Sequence, residues 1–143
     1  MDAQERAERS AAAMFANDRA SPGLGMKIDE IAPGRAVLSM PVREDFLNGH
    51  DICHGGFIFT LADSAFAFAC NSYNQLAVAQ ENQITFMRPG RKGDLLTAEA
   101  VEVDRPGRSA LYDVIVRNQA GDIIAAMRGL SREVKGRHFE ETP

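Results

Sequence analysis

Two cysteines, Cys53 and Cys70, are the only thiols in 143 residues. They are too few and too loosely spaced for a disulfide framework or a zinc site. This scarcity points to a reducing, cytoplasmic setting, and no metal centre is expected. Charge of one sign is also missing. Sixteen Lys and Arg against twenty Asp and Glu give a net charge of −4. That provides neither the broad basic surface that nucleic acid requires nor an acidic tail for a basic partner. Long hydrophobic runs are absent too. The N-terminal stretch MDAQERAERSAAAMFANDRA mixes charges throughout and builds no apolar core of the kind a secretory signal needs. The most apolar segment, 57–70, is too short to span a bilayer and carries Asp63, so a buried helix is expected there and no membrane span.

A hydrophobic share of 45% and a charged share of 25% fit one soluble domain over 1–143, long enough to bury a core without staples. Residues 2–18, rich in Ala, Glu and Arg, predict a helix that Met14 and Phe15 dock onto the body and Ser21-Pro22-Gly23 ends. Two strands are expected on either side of Pro33-Gly34. In the second, Ala36, Leu38, Met40 and Val42 alternate with their neighbours at the period of a half-buried strand. The run after His54-Gly55-Gly56 is apolar on nearly every face, so its helix must be enclosed all round, within a fold or an interface. Four further strands are predicted near 77–87, 94–104, 108–118 and 122–134, in a meander, with Ala110, Tyr112, Val114 and Val116 facing one way. The tail, 136–143, is expected to fray. One helix swallowed by an antiparallel sheet is an α+β architecture.

Within that helix Asp63 is the only charged residue between His54 and Glu81. An ionised carboxylate in apolar surroundings costs several kcal/mol unless paired or hydrated. It reads either as a hydrogen-bonded structural group or as a base or nucleophile in a cleft. His54-Gly55-Gly56 falls at the helix start, where unpaired N–H groups and partial positive charge stabilise a polarised carbonyl and glycine admits a close approach. Taken alone, the same triplet also reads as an ordinary turn. Gly55 and Asp63 are eight residues apart, which on a straight helix is ~12 Å along the axis. If both serve one site, the carboxylate comes from a second subunit packed antiparallel across a two-fold axis.

Asn48-Gly49-His50, then His54-Gly55-Gly56, then LADSAFAFACNS, with Ile84-Thr85-Phe86-Met87-Arg88-Pro89-Gly90 and Gly93-Asp94 further on, resemble the PaaI-type hotdog thioesterases of phenylacetate degradation. The resemblance covers essentially the whole chain. It implies a hotdog fold, a long central helix wrapped by a curved antiparallel sheet, with subunits paired sheet to sheet into dimers and dimers of dimers, that is, a homotetramer. It implies an acyl-CoA thioesterase that needs no cofactor, coenzyme A being part of the substrate, with an arylacetyl-CoA as the acyl donor. Asp63 would be general base or nucleophile across the dimer interface, the Gly55 N–H would polarise the thioester carbonyl, and Asn48 and His54 would hold the thioester and the leaving thiolate. From the residues themselves, Gly56 and Arg88 are further candidates for substrate contact, and Phe57, with Phe46 and Phe59, reads either as lining an aryl-acyl pocket or as core. Some relatives place a Ser or Thr at the start of the following strand; here Ala77-Val78-Ala79-Gln80-Glu81 leaves that role vacant or passes it to a neighbour such as Glu81 or Asn82, each of which also reads as a solvated strand residue.

Cys53 beside His54 is read as structural, since adjacent residues in an extended segment point to opposite sides. Arg88, Arg91 and Lys92 around a Pro-Gly turn could attract the phosphates of coenzyme A, with Arg105, Arg108 and Lys135 as rivals. Two alternatives remain. A hotdog hydratase generally places its carboxylate before its His, the reverse of the order here. A non-catalytic acyl-CoA-binding module gives Asp63 no task.

Overall fold

Alternation sets the sheet. In β2 (Arg35–Pro41) Ala36, Leu38 and Met40 are fully buried and Val42 continues the row, as the two-residue period of a strand requires. The computed structural model describes residues 1–142; Pro143 lies outside them. Hairpin β1 (Lys27–Ala32) to β2 closes through Pro33-Gly34, with Gly34 at φ 69°, a conformation glycine adopts without steric cost. The remaining strands are β3 (Ala77–Phe86), β4 (Leu95–Asp104), β5 (Ser109–Arg117) and β6 (Ile123–Glu133). All pairings are antiparallel, in the order β1-β2-β4-β5-β6-β3.

The strand boundaries agree with the sequence to within a residue or two, but the expected four-strand meander is corrected. β3 pairs with β6 at the far edge and does not pair with β4. Local alternation reveals a strand, not its neighbour. The chain returns from β3 to β4 along 87–94, whose backbone is pinned at Met87 N–H to Ile124 O, at Gly90 O by Cys53 N–H and at Gly93 N–H to Val42 O.

Helix α3 (Gly55–Cys70) lies across the concave face of the sheet, mainly on β2, β4 and β5. Small inward residues, Ala36, Ala98, Ala100, Ala110 and Ala125, let it sit close, and its Leu61, Phe66 and Phe68 fill the core. Helix α1 (Ala3–Asn17) is capped by Asp2 and packs against β1; the short α2 (Ala20–Gly23) bonds α3 through Ser21 and Ser64. Met14 and Phe15 do dock α1 on the core.

Of the two enclosures the sequence allowed for α3, the fold alone supplies only part, because Phe59, Thr60, Asp63 and Ala67 are half-buried and Gly56 is exposed in one chain. One expectation changes. The tail is not frayed over 136–142. Asn74 Oδ1 accepts from the N–H groups of His138 and Phe139, its Nδ2 donates to Phe139 O and Glu141, and Arg6 pairs with Glu141 at 2.8 Å. These partners lie on α1 and just after α3, too far away in sequence for the tail composition to announce them.

Candidate functional site

The entry into α3 is fixed by His54. Its Nδ1 accepts the Gly56 N–H at 2.9 Å, so the neutral ring carries its proton on Nε2, an outward donor. His54 N–H is bound to Phe46 O and Phe57 N–H to His54 O, while Gly55 N–H has no acceptor among the described residues. It is a free donor at the positive end of a sixteen-residue helix. The Phe86 ring covers this turn closely: a Cβ added at Gly55 would lie 3.0 Å from Phe86 Cζ.

Asn48 stands opposite in a loop pinched by the Leu47–Cys53 bridge. Its Oδ1 accepts the N–H groups of His50 at 2.9 Å and Ile52 at 3.4 Å, which leaves its Nδ2 as a donor without an acceptor among the described residues. Asn48 and Gly55 line one cavity of about 590 Å³, together with apolar Ile52, Ile58, Phe86 and Met87 and the exposed Arg88 and Arg91. Arg88 is steadied by donating from Nη1 to Ile123 O. The cavity thus pairs an apolar wall with two neutral donors and two cations, a combination suited to an apolar acyl thioester with an anionic remainder.

Asp63 is not among the residues lining this cavity. It sits two turns further along α3, facing β3, where Asn82 Nδ2 donates to its Oδ1 at 2.8 Å and its Oδ2 is unbonded among the described residues. Burial pushes its carboxyl above the usual range, with the Asn82 bond opposing in part. Asn82, which the sequence left open between a solvated strand residue and a contributor, is therefore the hydrogen-bond partner of Asp63. The available signal was the alternation of β3 itself: Asn82, Ile84 and Phe86 share its inner face, opposite Gly129, Met127 and Ala125.

Three other expected residues lie outside the cavity. His54 is the helix cap, Gly56 its hydrogen-bond partner, and Phe57 stacks on Phe46 with ring centroids 4.3 Å apart. Phe57 is thus a packing residue in this chain, drawn inward by the 3-10 turn at Glu44–Phe46. Cys53 does line the cavity, but burial first and Asp94 second push its thiol up to about 11, which removes it as a nucleophile near neutrality. Among the other cations, Lys92 pairs with Glu44, Arg105 stacks on Tyr73, and Arg108 and Lys135 border a separate cavity.

Residues 50–125 match the Thioesterase superfamily. The chain is 43% identical over 131 residues to the acyl-coenzyme A thioesterase PaaI of Escherichia coli K12, spanning 92% of this chain and 94% of that protein. A solved structure of the E. coli PaaI protein from the phenylacetic acid degradation operon superimposes with a TM-score of 0.94 at 41% identity, covering 95% of this chain and 99% of that one. The smu.793 protein of Streptococcus mutans UA159, solved with acetyl CoA bound, superimposes with a TM-score of 0.75 at 25% identity, covering 78% and 90%.

Proposed function

Since this chain belongs to the thioesterase superfamily, we infer that it is an acyl-CoA thioesterase, releasing free acid and coenzyme A from arylacetyl-CoA esters such as phenylacetyl- or hydroxyphenylacetyl-CoA. The observation that carries this reading is the free Gly55 N–H opening beside Asn48 onto a largely apolar cavity. The thioester carbonyl oxygen accepts from Gly55, where the helix N-terminus stabilises the oxyanion that forms. Asn48 Nδ2 orients the thioester, and His54 acts through the helix turn that its Nδ1 caps, fixing the backbone beside Gly55. Asp63 Oδ2 takes a proton from a water whose oxygen bonds to the carbonyl carbon. The C–S bond then breaks, and the proton held by Asp63 returns to the thiolate.

The Asp63 of each site comes from a second copy of the chain. Three features support this. Gly55 and Asp63 stand ~12 Å apart along one helix. The half-open side of α3 contains Asp63 itself. The adjoining strand β3 ends the sheet with no outer neighbour, and beside its exposed edge Val78, Phe86 and Met87 are 51%, 49% and 59% exposed. Exposed Leu95, Val101 and Val103 on β4 supply a further apolar surface for pairing dimers into a tetramer. A cytoplasmic location fits the two free cysteines, and among the described residues no helix is long and apolar enough to cross a membrane.

The direct test is a panel of aryl- and alkyl-CoA esters read by free thiol release. Arylacetyl-CoA esters should show higher kcat/KM than straight-chain esters. No thiol release from any ester would refute hydrolysis, and a preference for long alkyl chains would overturn the acyl assignment.

A further inference from the structure

Asp63 has a single hydrogen-bond donor among the described residues, and the sheet is shaped to provide it. A register shift between Ala79 and Glu81 re-phases β3, so that Asn82 enters the inner face opposite Gly129. A Cβ at position 129 would come within 2.5 Å of the Phe66 ring and 2.9 Å of Asn82 Oδ1. Glycine on β6 therefore makes the space in which the Asn82 amide lies against α3. In that orientation Nδ2 reaches Asp63 Oδ1 at 2.8 Å, but Asn82 Oδ1 is buried with no donor. A buried amide oxygen without a donor is a penalty that Leu or Val at the same place would avoid. The contact with the carboxylate is the one compensation on view.

We infer that Asn82 is a positioning residue for the hydrolysis: it holds Asp63 by Oδ1, leaving Oδ2 as the free basic atom. This rests on the reading of Asp63 as the base. A carboxylate anchored at one oxygen keeps its other lone pairs in a fixed direction, whereas an unanchored one rotates about χ2 and spends less time aligned with water. The same bond favours the ionised form against burial. Asn82 thus supplies from β3, by its amide, the donor that holds Asp63.

The test is Asn82→Leu, near in volume and without a donor, beside Asn82→Asp, which keeps shape and polarity but sets a second carboxyl against Asp63. Both are compared with wild type and in an Asp63→Asn background, with oligomeric state checked. In Asn82→Leu, kcat should fall about ten- to a hundredfold with KM little changed, consistent with a misplaced base. The acid limb of the pH profile should move up by about one unit, and further in Asn82→Asp. In the Asp63→Asn background, Asn82→Leu should cause no additional loss. A folded Asn82→Leu with unchanged kcat and acid limb overturns the inference, as does an equal loss in both backgrounds. Should Asn82→Leu fail to fold, the acid limb of Asn82→Asp decides alone: upward movement supports the inference and a static limb overturns it. Full activity in Asp63→Asn would instead defeat the reading of Asp63 as the base.

Discussion

Asp63 is a charge that the fold does not want. It lies in the most apolar helix of the chain, half-buried, with one hydrogen bond, and its carboxyl is pushed above the ordinary range by burial. A carboxyl whose folded-state pKa is raised contributes no penalty below the unfolded value of ~3.9. Destabilisation appears as pH rises past that value and is complete above the raised folded pKa. Asp63→Asn keeps an acceptor for Asn82 and removes the charge. It should therefore lower kcat by roughly 10²- to 10⁴-fold while raising the urea midpoint at pH 7. That gain should vanish towards pH 4, as measured by unfolding curves across the range. Equal midpoints at pH 7 would show that the charge carries no strain. An isolated acid in an apolar run is legible in sequence, as is a Gly-Gly pair at a helix start. Asn82 is not, because its importance depends on β3 folding back beside α3 and on a glycine forty-seven residues later making room.

Strands announce themselves by alternation, as Ala110, Tyr112, Val114 and Val116 do on β5. Their neighbours do not: the alternation of β3 and of β6 is silent on their pairing with each other. The tail follows the same logic. Asn71 and Asn74, just after α3, gather the C-terminus. His138 Nε2 meets Asn71 Oδ1 at 2.8 Å, while Asn74, 3% exposed and at φ 57°, makes four side-chain bonds to residues 138–141. Asn74→Ala removes these bonds and places a side chain poorly suited to positive φ there, and it should cost about 2 kcal/mol or more in chemical denaturation. Amide exchange of His138 and Phe139 should rise in that variant. Burial also holds His138 below its ordinary pKa. Its contribution is present above the unfolded value of about 6.5 and is lost as pH falls below it. Acidification should thus loosen the wild-type tail in the same exchange experiment; unchanged protection between pH 7.5 and 5.5 would contradict this.

At the scale of the whole molecule, the proposed shared site draws on two copies of the chain for groups that a single chain holds apart. Gly55 and Asn48 open onto the cavity at the start of α3, and Asp63 lies two turns away against β3. Asp63 on the half-open flank of α3 is bonded to Asn82 on β3, whose outer edge is bare, so in the proposed pairing a second copy seated there would cover the exposed Val78, Phe86 and Met87 and bring its own Asp63 to the site. The most direct test mixes two inactive proteins. Asn48→Ala and Asp63→Asn homo-oligomers should each be severely impaired. In a mixed dimer one site holds both lesions and the other holds neither. Random pairing makes half the dimers mixed, with half of their sites intact, so co-expressed and doubly tagged material should recover roughly a quarter of wild-type acyl-CoA hydrolysis. If Asn48, Gly55 and Asp63 of one chain formed each site, every site would keep a lesion. Mixed oligomers that are demonstrably present but show no recovered activity would contradict the shared site.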